Sequence, residues 1–362
     1  MEQTSILSFC LFLLYISTCP QVLHSAVSSD HRHRHHHHER VTVKLFVFGD
    51  SYADTGNSVK FVTGSWEPPY GITFPGKPAG RFSDGRVLTD YIASFFGTRS
   101  PVPYNWRNRV KKSKLRNGMN FAYGGTGVFE TLVSAPNMTT QIDFLQQLVE
   151  KKLYTKRDLY SSVAFVSLAG NDYAAYFLKG NQSQDLPAVS ISIVNQLVVN
   201  IKRINDLGVP RILVTSIAPM GCLPAVTSIL SSYQNCSESL NAASRFHNQI
   251  LHQKVEELKN HTTRRSTIVI LDLYNGFLSA IQQHHDLQQA GNSTASENML
   301  MPCCVGVSSE YSCGSVDGRS GAKMYTVCSN PGRSFFWDKV HPSQNGWHAV
   351  YSAIESSLSP LH

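Results

Sequence analysis

Short, nearly continuous apolar runs recur along the chain at 44–48, 162–168, 211–217 and 267–271. Runs this short and unbroken fit parallel strands covered on both faces, where neither side-chain direction meets water. Between them lie stretches with helical periodicity, at 141–151, 188–207 and 237–259. In the second, Val189, Ile193, Leu197 and Ile201 keep one apolar face at i, i+4, i+8 spacing until Gly208-Val209-Pro210 ends it. The 211–217 run then closes a helix–turn–strand unit. Alternation of this kind predicts an α/β fold, a three-layer α/β/α arrangement around a mainly parallel central sheet. With no internal repeat and no clear linker, residues 41–362 read as one domain.

The N-terminus reads differently. Ile6 to Ile16 form an apolar run broken only by Ser8, too short for a transmembrane helix of about 20 residues. With small residues at Ser25 and Ala26 it fits a secretory signal peptide over 1–26, although its start carries no Lys or Arg. No transmembrane anchor is expected. Residues 27–40 include His31-Arg32-His33-Arg34 and His35 to His38, a low-complexity stretch that cannot pack a core and reads as a flexible leader.

Composition refines this picture. The chain has 362 residues, 42% of them hydrophobic and 16% charged, enough to bury a full core. Its net charge of +7 is mildly basic. The dense basic stretch Arg107, Arg109, Lys111, Lys112, Lys114 and Arg116 reads as a solvated face. Weak attraction to an acidic polymer or a membrane surface is the alternative; no nucleic-acid partner is expected. Of 8 cysteines, Cys10 and Cys19 leave with the signal, and Cys222, Cys236, Cys303, Cys304, Cys313 and Cys328 remain. An even set in an exported chain points to disulfides. Cys222 with Cys236 is the local pairing, while Cys303 and Cys304 share Cys313 and Cys328 in an order the sequence leaves open. Zinc is the rival for the last four cysteines, but no matched Cys-x-x-Cys pairs are present. Asn137, Asn181, Asn235, Asn260 and Asn292 open Asn-x-Ser/Thr triplets and are candidate glycosylation sites.

Candidate chemistry sits at the two ends of the mature chain. The first run feeds Gly49-Asp50-Ser51-Tyr52-Ala53-Asp54-Thr55-Gly56-Asn57, a serine on a glycine-bounded turn. Near the other end, Asp338-Lys339-Val340-His341-Pro342 offers a carboxylate and an imidazole three residues apart, ahead of a helix beginning near Pro342-Ser343. Serine needs a base to act as a nucleophile, and a histidine base needs a partner that fixes its tautomer. Ser51, His341 and Asp338 supply those parts. Ser51 and Asn171 both follow predicted strands, as one rim at the carboxyl ends of a sheet requires. Gly-x-Ser-x-Gly is absent, which argues against an α/β-hydrolase elbow.

Four blocks occur in order: Phe48-Gly49-Asp50-Ser51, Asn120-Phe121-Ala122-Tyr123-Gly124-Gly125, Ala169-Gly170-Asn171-Asp172 and Asp338-Lys339-Val340-His341-Pro342. Together they resemble the plant GDSL esterase/lipase family of the SGNH hydrolase superfamily, with tyrosine in place of leucine in the name motif. The resemblance implies Ser51 as nucleophile, His341 as base and Asp338 as its partner. It also implies an oxyanion hole formed by the Ser51 N–H, the Gly125 N–H and the Asn171 side chain. Three departures stand out. Tyr52 replaces leucine and is expected to pack behind the nucleophile; Ala169 replaces a glycine and is expected to shift Asn171 slightly; Thr126 replaces alanine.

The expected function is hydrolysis of carboxylic esters of lipids or acylated cell-wall material through an acyl-enzyme, outside the cell in the apoplast or wall. No metal or organic cofactor is implied. Two other readings use the same fold, an acyltransferase that passes the acyl group to an alcohol and a non-catalytic binding protein. The oligomeric state is not readable from the sequence.

Overall fold

The structure is a computed structural model describing residues 43–60, 64–180, 185–261, 266–289 and 298–361. The predicted signal peptide and histidine-rich leader lie outside the described residues, which belong to a compact unit, Thr42–His362.

The strands are β1 (Leu45–Gly49), β2 (Val102–Pro103), β3 (Gly118–Asn120), β4 (Val163–Ser167), β5 (Arg211–Thr215), β6 (Thr267–Leu271), β7 (Cys304–Gly306) and β8 (Tyr325–Val327). The first six form one sheet in the order β2-β3-β1-β4-β5-β6, with every neighbouring pair parallel. The predicted mixed α/β architecture is therefore observed. All four predicted strands exist, each within two residues or so of its expected bounds. The short β2 and β3 were not legible as apolar runs.

Alternation along the strands divides the core into two layers. Phe46, Phe48, Ala164, Val166, Ile212 and Val214 point into one; Leu45, Val47, Val163, Phe165 and Leu213 point into the other. The helices are α1 (Leu88–Phe95), α2 (Met138–Glu150), α3 (Lys156–Tyr160), α4 (Gly170–Leu178), α5 (Leu186–Leu207), α6 (Pro224–Leu230), α7 (Glu238–His261), α8 (Leu273–Gln289) and α9 (Gln344–Ile354). Residues of α2, α5 and α7 cover the first face. Residues of α1, α8 and α9 cover the second. Both faces of β1, β4 and β5 are thus almost entirely dry, which is why these strands read as unbroken apolar runs. No described helix is long and apolar enough to cross a membrane.

The chain leaves β1 toward β2 and β3 on one side and later places β4 on the other. The carboxyl end of β1 is therefore a topological switch point, the position where open α/β sheets open a crevice. The antiparallel pair β7–β8 stands apart from this sheet. It carries two disulfides, Cys303–Cys328 and Cys304–Cys313, and the third joins Cys222 to Cys236 as the local pairing predicted. The four cysteines offered to zinc are consumed in these bonds. Arg107 lies with its guanidinium over the Tyr104 ring at 3.7 Å, while Lys111, Lys112, Lys114 and Arg116 are exposed.

Candidate active site

Ser51 follows β1 on a tight turn in which the Ala53 and Asp54 N–H groups donate to the Asp50 carbonyl at 3.1 and 2.9 Å. The Asp50 N–H reaches across to the Ser167 carbonyl of β4 at 3.1 Å. Gly49 permits that approach, since a Cβ there would lie 2.3 Å from the Ser167 oxygen. Asp54 then braces the turn from below. Its carboxylate accepts the Gly56 and Asn57 N–H groups, both at 2.7 Å, and the Ser58 hydroxyl at 2.6 Å. Asn57 donates to the carbonyls of Asn120 and Ala122 at 2.8 and 2.9 Å, sewing the first motif to the second.

His341 Nε2 lies 2.8 Å from Ser51 Oγ, and Nδ1 lies 2.8 Å from both Asp338 oxygens. Asp338 Oδ1 also accepts the Val340 and His341 N–H groups at 2.9 and 2.8 Å, and Oδ2 accepts the Tyr70 hydroxyl at 2.7 Å. Burial pushes the Asp338 carboxyl up, but His341, the Val340 N–H and the Tyr70 hydroxyl outweigh it and leave it below the usual carboxylate range. The turn is fixed on its far side as well. Ser343 caps α9 by accepting the Gly346 N–H at 3.0 Å, which places the helix start where Pro342-Ser343 suggested.

Tyr52 does pack behind the serine, with its ring 4.9 Å from Trp347 and 5.9 Å from His341. Its hydroxyl also donates to the Val340 carbonyl at 2.9 Å, a tie to the histidine loop that leucine could not make.

Asn171 stands in the first turn of α4 and lines the same pocket as Ser51. One N–H of its amide donates to the Thr126 carbonyl at 3.0 Å. Gly125, at φ +80°, sits on a turn held over the end of β1, where the Tyr123 N–H and the Thr126 hydroxyl both donate to the Gly49 carbonyl at 3.0 and 3.2 Å. A Cβ at Gly125 would lie 2.9 Å from both Val133 methyls. Neither Gly125 nor His341 is part of the apolar wall beside Ser51. Asp172 fastens the next turn by accepting the Val128 and Phe129 N–H groups, both at 2.9 Å. Burial pushes its carboxyl up to about 6, partly offset by those donors. Asp50 is pushed up to about 7, again by burial, with the Tyr52 N–H and His341 acting in the opposite sense.

The pocket beside Ser51 has a volume of about 250 Å³ and a mainly apolar wall that includes Leu168, Tyr173, Phe177, Ile217, Met220 and Leu273. Among the described residues no group of three His, Cys, Asp or Glu side chains is placed to hold a metal ion. Of the candidate glycosylation sites, Asn235 and Asn260 are exposed. Asn137 is the N-cap of α2, its side chain accepting the Thr140 N–H at 3.0 Å. Asn181 and Asn292 lie outside the described residues.

Sequence reasoning placed Asp54 and Asn57 in the first motif without giving them a role, and it did not find Gln141 or Tyr70. Gln141 binds both the N–H and the carbonyl of Gly49, at 2.8 and 2.9 Å. A polar residue in the first turn of an otherwise apolar helix face was the available signal. Nothing in the sequence pointed to Tyr70.

A parallel α/β/α sheet with a hydrogen-bonded Ser–His–Asp series beyond the carboxyl end of its central strand defines a hydrolase class. Comparison with known proteins makes it specific. The GDSL-like lipase/acylhydrolase family model matches residues 45–354, and the chain belongs to that family. Its relatives include two GDSL esterases/lipases of Arabidopsis thaliana. One is 49% identical over 352 residues, covering 96% of both chains. The other is 48% identical over 320 residues, covering 88% of this chain and 89% of the relative. Among solved structures, an α/β hydrolase from the metagenome of Lake Arreo, Spain, aligns with a TM-score of 0.40 at 12% identity, covering 88% of this chain and 96% of that one. That likeness is too weak to bear on fold or substrate. The protein is an enzyme, a GDSL-type hydrolase acting on ester bonds.

Proposed function

We propose that the enzyme cleaves esters with apolar acyl groups through an acyl-enzyme on Ser51. The observation that carries this reading is the 2.8 Å approach of His341 Nε2 to Ser51 Oγ, with Asp338 on the other ring nitrogen. Ser51 Oγ attacks the ester carbonyl carbon as its proton passes to His341 Nε2. Asp338 stabilises the imidazolium that results. The carbonyl oxygen takes up the negative charge. The Ser51 and Gly125 N–H groups, together with the Asn171 amide hydrogen not engaged by Thr126, are its donors; losing one such donor typically costs about 3–4 kcal/mol in the transition state. The C–O bond to the alcohol then breaks and His341 returns the proton to the leaving oxygen. Water, deprotonated by the same histidine, releases the acid and regenerates Ser51.

The pocket supports the substrate class. A 250 Å³ cavity holds roughly ten heavy atoms, by scale with cavities that accept benzene. Each buried methylene contributes about 0.8 kcal/mol, so a medium acyl chain gains most from this wall. The three disulfides support export to an oxidising compartment. Of the described acceptors, Asn260 is exposed on α7 and is the better candidate for a glycan, while Asn235 directly precedes the disulfide-bonded Cys236.

The experiment is a p-nitrophenyl ester series from C2 to C16, run on the wild type and Ser51→Ala. Expected are a maximum in kcat/KM near C8 and a loss of roughly 10³-fold or more in the variant at every length. Turnover by Ser51→Ala at the wild-type rate would overturn the mechanism. A maximum at acetate would overturn the substrate class alone.

A further inference from the structure

The Asp338 carboxylate has five hydrogen-bonding contacts, and four come from its own turn: the Val340 and His341 N–H groups and the two approaches of His341 Nδ1. The fifth comes from 268 positions away. The Tyr70 hydroxyl donates to Asp338 Oδ2 at 2.7 Å in a buried bond. Tyr70 belongs to none of the four motifs, and the reaction as written above does not use it.

Its seat is rigid. The backbone is pinned on both sides, by the Tyr70 N–H to the Glu67 carbonyl at 3.1 Å and the Gly71 N–H to the Ser83 carbonyl at 3.0 Å. The ring is 6% exposed. It packs edge-on to Trp337 at 6.0 Å, in a cluster with Cys303, Cys304 and Cys313. A phenol held this way presents its hydroxyl to one carboxylate oxygen.

We propose that Tyr70 is a positioning residue of the ester-hydrolysing site, its hydroxyl fixing the orientation of Asp338 and drawing off part of the charge that Asp338 presents to His341. The inference rests on the roles given above to Ser51, His341 and Asp338. The physical reason is competition for one oxygen. Oδ2 serves both the phenol and His341 Nδ1, and a hydrogen bond donated to a carboxylate stabilises its charged form. Without the phenol the carboxylate is more basic and holds the imidazolium more tightly. The acid limb of the rate profile then moves to higher pH. The other ionisable groups acting on this pair are Asp50, which faces His341, and Tyr52, which faces Asp338; both remain in the variant.

The test compares the wild type, Tyr70→Phe and the full-length enzyme carrying 3-fluorotyrosine at position 70. Tyr70→Phe keeps the ring and removes only the donor. It is expected to lower kcat about tenfold with KM within about twofold, consistent with loss of one hydrogen bond to a charged group. The acid limb of kcat/KM should rise by about half a pH unit or more. The fluorinated phenol is a stronger donor and should move that limb down while kcat is retained. A purely structural tyrosine would lower stability and leave the limb in place. An acid limb within about 0.2 units of wild type in Tyr70→Phe overturns the proposal. If that variant does not fold, an unmoved limb in the fluorotyrosine enzyme overturns it instead. Ser51→Ala is measured alongside. An inactive Ser51→Ala with unmoved limbs removes Tyr70 alone, whereas an active one removes the catalytic reading beneath it.

Discussion

Ala169 stands at φ +113°, ψ −16° as the N-cap of α4, in a region that L side chains rarely adopt. The departure from glycine at this position thus appears as local backbone strain, while Asn171 still meets Thr126 and the pocket. A residue held this way stores on the order of 1–3 kcal/mol. Ala169→Gly, which relieves the strain but adds chain entropy in the unfolded state, is expected to gain about 1 kcal/mol. Urea unfolding of the two proteins checks it; equal or lower stability in the glycine variant would show that the conformation carries no net strain. At this scale the sequence was informative wherever chemistry required a residue type in a short motif. Ser51, Asp338 and His341 were legible because a serine, an imidazole and a carboxylate have few substitutes and sat in distinctive strings. Tyr70 was not, since its meaning depends on a contact 268 positions away.

Between residues and elements, Asp172 shows how one helix holds a loop. From the first turn of α4 it grips Val128 and Phe129, just beyond the turn that carries Gly125. Its carboxyl is pushed up to about 6, against about 3.9 in an unfolded chain. The folded protein therefore holds the extra proton, and the associated stability is full below about pH 4 and lost as pH rises through 6. Asp172→Asn cannot titrate there. The stability advantage of wild type over Asp172→Asn should shrink by about 2 kcal/mol between pH 4 and pH 7.5. Denaturant unfolding of both proteins measures this, and a constant gap would remove the raised carboxyl. The paired comparison is needed because His247, pushed down to about 3 by burial, shifts the total in the opposite sense. Among the elements, the longer strands were readable as apolar runs and α2, α5 and α7 from their periodicity, but the 17-residue α8 was not. β2, β3, β7 and β8 span two or three residues each. They carry no pattern of their own and exist through their neighbours, as when Gly118–Asn120 pairs with β1.

For the molecule as a whole, the parallel order and the two covered faces followed from the alternation of strands and helices, whereas the switch point at β1 did not, because it depends on the short β2 and β3. The disulfide framework followed only in part, because proximity in sequence selected Cys222–Cys236 but could not order the other four. Those four matter for reasons beyond bracing. The Cys303 and Cys304 N–H groups donate to the Phe336 and Trp337 carbonyls at 3.0 and 2.7 Å, and the Cys328 N–H donates to the Cys303 carbonyl at 2.7 Å. The bridged hairpin is thus a strap across the segment that ends in Asp338. On the roles proposed for Ser51 and Asp338, the two would mature on different schedules. Ser51 is set by the sheet, which needs no oxidation, whereas Asp338 is set by a strap that closes only when thiols do. Newly made chains in a reducing compartment would then be latent, folded around Ser51 but without an anchored acid. Mild reduction of the purified enzyme should silence ester turnover while its far-ultraviolet circular dichroism persists, and reoxidation should restore it; full activity in the reduced protein would refute the latency.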